Sequence, residues 1–158
     1  MGKEYIDMLQ DSLVKKEKIL TEILKLSNEQ TGIVNVEEVD WDAFTENVDK
    51  KGDLVDEINQ LDEGFDTLYN RVKDELVANK SAYVGEIATM KVLIKSITEK
   101  SADIEAVERR NKVLIENKFN ETRKTIKQGK LGTQAAMQYY QKMSRINTID
   151  PQMMDKKS

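Results

Sequence analysis

Cysteine and histidine are both missing from this chain of 158 residues, and proline occurs once, at Pro151. Without cysteine there are no disulfides, thiol nucleophiles or zinc–thiolate sites. Without histidine there is no imidazole base, no Ser-His-Asp triad and no His-ligated metal, and the carboxylate-plus-His di-iron sites of helical bundles fall with them. Aromatics are sparse: one Trp, five Tyr and three Phe. Long apolar runs are missing too. Val92-Leu93-Ile94 and Val113-Leu114-Ile115 fall far short of the roughly 20 residues that span a bilayer. Lys3, Glu4, Asp7 and Asp11 interrupt what a signal peptide would keep apolar. These absences predict a soluble, intracellular protein with no membrane insertion and remove imidazole- and thiol-based chemistry; no cofactor or metal is expected, a helical enzyme using paired carboxylates and a metal being a remote alternative.

What is present is a helical rhythm. Apolar residues recur every three or four positions from Ile6 to Ile126, the spacing that puts side chains on one face of a helix. The first segment reads Ile6, Leu9, Leu13, Lys16, Leu20, Ile23, a seam with one polar interruption, and predicts a helix at about 3–30 stopped by Gly32. Asp40 is the expected N-cap of the next helix, with Asn35 and Glu38 as a competing start.

That second helix, at about 40–78, carries Trp41, Phe44, Val48, Lys51, Val55, Ile58, Asp62, Phe65, Tyr69, Val72 and Leu76 along one seam, broadened by Leu54, Leu61 and Leu68. It is close to 60 Å long at about 1.5 Å per residue. Gly52 and Gly64 inside it mark close helix approach or a bend. Asn79-Lys80-Ser81 supplies a turn, Asn79 tolerating a left-handed conformation and Ser81 capping the third helix. That helix carries Tyr83, Ile87, Met90, Ile94, Ile97 and Ile104; past Val107 its seam positions Glu108 and Asn111 are polar. Gly129 and Gly132 end it, and Thr133 opens a short fourth helix with Ala136, Met137, Tyr140 and Met143. The predicted fold is therefore all-α: an elongated antiparallel bundle or coiled coil of three long helices plus a short C-terminal helix. It forms one domain over residues 1–146, with a flexible tail over 147–158.

Charge is uneven. Residues 37–76 hold fourteen acidic and four basic side chains, and residues 101–158 hold seven acidic and twelve basic, so an antiparallel pairing of the second helix with the far half of the third neutralises both. The carboxylates Asp53, Asp56, Glu57, Asp62, Glu63 and Asp66 fall mostly on a solvent face, with no Gly-turned calcium loop beside them. Gly129-Lys130-Leu131-Gly132 lacks the spacing of a phosphate loop. The basic residues from Arg109 to Lys130 carry no nucleic-acid-binding signature, and the chain as a whole is acidic, with a formal net charge of −4. A helix face remains as the working surface. Past Val107 the apolar residues Val113, Leu114, Ile115 and Phe119 look exposed, as a groove for a partner's amphipathic helix requires, unless the first helix covers them or the segment dimerises.

Two stretches resemble a known family: Val48-Asp49-Lys50-Lys51-Gly52-Asp53-Leu54-Val55-Asp56-Glu57-Ile58-Asn59-Gln60-Leu61-Asp62 and Glu108-Arg109-Arg110-Asn111-Lys112-Val113-Leu114-Ile115. They are similar to flagellar type III export chaperones of the FlgN type. The resemblance implies a non-catalytic protein that binds the amphipathic C-terminal helix of hook–filament junction proteins and delivers them to the export apparatus. It maps cargo binding onto Asn111, Leu114, Ile115 and Phe119, and docking at the export gate onto Tyr139 and Tyr140. A chaperone for the filament cap protein, or a coiled-coil adaptor acting by self-association as a homodimer, is the alternative.

Overall fold

The structure is a computed structural model and describes residues 2–121. Three long helices account for nearly all of them, and the described residues include no strand: α1 (Gly2–Val34), α2 (Trp41–Ala78) and α3 (Val84–Glu121), with a 3-10 turn (Lys80–Tyr83) before α3. The expected fourth helix, with Gly129, Gly132 and the tail, lies outside the described residues.

Local chemistry sets most of the boundaries. Asp40 caps α2, its Oδ1 accepting from the backbone N–H groups of Asp42 and Ala43 at 3.1 Å each, which satisfies two donors that the first turn leaves free. Asn35 does not compete for this role, because its N–H extends the ladder of α1 to the Thr31 carbonyl at 2.9 Å. Two expectations are corrected. Gly32 does not stop α1, which continues to Val34; no glycine among the described residues has a positive φ, and a helical glycine costs only about 1 kcal/mol. Asn79 is not left-handed either. At φ −122° it accepts from the Ala82 N–H at 2.9 Å, and the 3-10 turn, which includes Ser81, leads directly into α3.

The helices run antiparallel in sequence order. Gly2 lies against the Glu75 carboxylate, Lys16 pairs with Asp62 and Asn47 donates to the Leu26 carbonyl, so α1 and α2 are antiparallel. Trp41 stacks on Phe119 and Lys51 pairs with Glu108, so α2 and α3 are antiparallel and α1 and α3 parallel. The core is one continuous seam: Ile6, Leu9, Leu13, Leu20 and Ile23 from α1, Phe44, Val48, Val55, Ile58, Phe65, Val72 and Leu76 from α2, and Met90, Ile94, Ile97, Ile104 and Ile115 from α3. Each such side chain contributes about 1.5–3 kcal/mol on burial. Lys16 occupies the seam position between Leu13 and Leu20, 1% exposed, and donates to Asp62 Oδ1 at 2.8 Å. Burial pushes the Asp62 carboxyl above its ordinary range, against the pull of Lys16. Gly52 is buried and Gly64 is exposed with open space around it, so close approach is not what places a glycine at 64.

Candidate functional site

The far half of α3 departs from an ordinary apolar seam. Met90, Ile94, Ile97 and Ile104 point inward, and the next inward positions along the same face are Glu108 and Asn111 before Ile115 restores the apolar character. Glu108 Oε1 accepts from Lys51 Nζ at 2.8 Å. Burial lowers the Lys51 ammonium from its ordinary pKa, outweighing the attraction of Glu108. The second oxygen, Glu108 Oε2, is buried without a hydrogen-bond partner among the described residues.

One turn further, Asn111 is fully buried. Its Nδ2 donates to the Ser27 carbonyl at 2.8 Å and to Gln30 Oε1 at 3.1 Å, and its Oδ1 accepts from the Thr31 hydroxyl at 2.6 Å. With Asn47 Nδ2 donating to the Leu26 carbonyl at 2.9 Å, these groups form a polar layer across all three helices. Beyond it the bundle closes on aromatics. Trp41 stacks on Phe119 with ring centroids 4.9 Å apart and meets Phe44 edge-on at 5.4 Å.

The four expected cargo residues therefore lie on one stretch of helix but in different surroundings. Asn111 and Ile115 are interior, Ile115 being 2% exposed, while Leu114 and Phe119 are half-buried against the core. The expected exposure of Ile115 is corrected: the C-terminal end of α1, with Ser27, Gln30 and Thr31 holding the neighbouring Asn111, runs over this stretch. Val113 alone in the group is open, at 56%. On the same outer surface Arg109 pairs with Glu105, and Arg110 and Lys112 are exposed. Tyr139 and Tyr140 lie outside the described residues. What sequence reading missed is the α1 side of the layer, Ser27, Gln30 and Thr31; Gln30 carried a signal, being a polar residue seven positions beyond Ile23 on the inward face.

Elsewhere, Trp41 is core and Tyr69 lies parallel to Phe65 at 6.3 Å. Among the described residues no group of three or more acidic side chains is placed to hold a metal ion, and no helix is long and apolar enough to cross a membrane.

A family model for the FlgN protein matches residues 1–144. The chain belongs to the FlgN family. FlgN proteins are flagellar export chaperones. No curated protein and no solved structure matches the chain.

Proposed function

We propose that this FlgN-family chain acts in the cytoplasm as the export chaperone of hook–filament junction proteins, holding the amphipathic C-terminal helix of its cargo and handing it to the export gate. The family match carries the reading, because it spans both the Val48–Asp62 and the Glu108–Ile115 stretches. Cargo recognition is assigned to Asn111, Leu114, Ile115 and Phe119. Two features support the place. The inward positions Glu108 and Asn111 are polar, so the bundle forfeits less apolar contact here than elsewhere when a helix leaves, and Glu108 Oε2 is buried with no hydrogen-bond partner among the described residues, which leaves this layer short of full satisfaction. A cargo helix reaches Leu114 and Phe119 from outside. It reaches Asn111 and Ile115 by displacing the end of α1, laying its apolar face on Ile115 and offering a polar side chain to Asn111 in place of Ser27, Gln30 and Thr31. Tyr139 and Tyr140 are assigned to gate docking.

The test is co-purification with the junction proteins of the same organism. Leu114→Ser with Phe119→Ser should remove cargo binding while circular dichroism stays helical. Tyr139→Ala or Tyr140→Ala should leave cargo binding intact and stop export. Unchanged cargo binding in the folded Leu114/Phe119 variant would overturn the site, and indifference of the wild-type chain to junction proteins would overturn the cargo.

A further inference from the structure

A second apolar stripe runs along α2 beside its buried one: Leu54, Leu61 and Leu68, spaced by seven and each only half-buried. On α1, Ser12 and Ile19 are also spaced by seven and half-buried, and together with the two later leucines of α2 they line an open groove of about 570 Å³. Spacing by seven is the mark of a seam that another helix covers. Gly64, between Leu61 and Leu68, flattens one wall, since a Cβ there would meet no atom within 4 Å. The rims differ in sign: exposed Lys15 and Lys18 on the α1 side, exposed Glu57 beside Gln60 on the α2 side.

We propose that this groove is the interface of a symmetric dimer, occupied by the same face of a second copy of the chain. Two face-to-face arrangements satisfy a two-fold axis, and charge decides between them. An axis perpendicular to the helices lays α1 on α1 and sets the lysine rims against each other. An axis along the bundle lays α1 of each copy, antiparallel, on α2 of the other, so the basic rim of one faces the acidic rim of the other and Lys18 meets Glu57 at both flanks. Pairing Lys16 with Asp62 within one copy puts Lys18 at the height of Gln60, within one helical turn of Glu57. The leucine stripes of both copies then share one core, and the small Ser12 and Gly64 let the helices approach.

Sedimentation equilibrium on the full chain tests this, with dimer expected below about 0.1 mM. Gly64→Phe fills the groove from a position with room for a side chain, and should weaken the dimer at least about tenfold with an unchanged circular dichroism spectrum. Lys15→Glu with Lys18→Glu gives a copy acidic on both rims; Glu57→Lys with Gln60→Lys gives one basic on both. Each should be monomeric alone, and an equimolar mixture should form a heterodimer. A wild-type chain that stays monomeric overturns the proposal, as does a dimer indifferent to Gly64→Phe. A dimer strengthened by Lys15→Glu with Lys18→Glu overturns the axis along the bundle.

Discussion

Lys51 Nζ lies 2.8 Å from Glu108 Oε1 and the pair is almost wholly shut off from water, the two side chains being 0% and 7% exposed. The pair links α2 to α3 inside a seam that is otherwise largely apolar, between Val48 and Val55 on one helix and Ile104 and Ile115 on the other. Removing two ions from water costs several kcal/mol each, so such a pair sets register more than it adds stability. Lys51→Met or Glu108→Gln, each breaking the ion pair from one side, should destabilise by about 3–5 kcal/mol in urea unfolding, and Lys51→Met with Glu108→Leu should recover most of that. Equal losses in the single and double variants would remove the coupling.

The same lysine gives a pH signature. Its folded pKa is lowered by burial from 10.5, so between the lowered value and 10.5 the unfolded chain binds a proton that the folded chain does not. Stability attributable to Lys51 therefore rises with pH through that window. Urea midpoints from pH 7 to 10.5 should show this component in the wild type and lose it in Lys51→Met; identical slopes would contradict it.

Much of the fold was legible in the sequence. Periodicity placed Lys16, Lys51, Asp62, Glu108 and Asn111 on the seam despite their polarity, and all five face the interior. The capping preference of aspartate marked Asp40 as the start of α2, where it caps the helix. Periodicity tells which face turns inward and not which helix meets it, so Ser27, Gln30 and Thr31 were not connected with Asn111. Stopping α1 before Gly32 removed Thr31 and Val34 from the helix and left the far half of α3 looking bare.

Gly32 itself is a test of that correction. It is helical, has no positive φ, and a Cβ there meets nothing within 4 Å. Gly32→Ala should raise stability by about 0.5–1 kcal/mol, read as an increased thermal midpoint. A loss would restore Gly32 as a helix stop.

Ile58 and Ile115 are 0% and 2% exposed, one in the middle of α2 and one in the expected cargo stretch. Ile58→Ala should cost about 2–5 kcal/mol, and Ile115→Ala a comparable amount. Leu114→Ser, at a half-buried position, should cost less. If Ile115→Ala is silent while Ile58→Ala is not, the end of α1 does not close on α3 in solution.

That closure bears directly on cargo. The Thr31 hydroxyl donates to Asn111 Oδ1, and Asn111 donates to Ser27 and Gln30, so the end of α1 is fastened here by polar groups whose net contribution is about 1 kcal/mol each, beside the buried side chains of Leu26 and Val34. An amphipathic helix offers apolar burial worth about 1.5–3 kcal/mol per large side chain in exchange. Binding of a junction protein should therefore speed backbone amide exchange over residues 25–34 while residues 6–20 stay protected. Asn111→Leu with Gln30→Leu and Thr31→Ala replaces all three polar side chains by apolar ones, which should hold α1 more firmly, slow exchange there and lower cargo affinity about tenfold. If cargo protects residues 25–34, or the triple variant binds it more tightly, cargo docks on the closed bundle from outside through Leu114 and Phe119 alone.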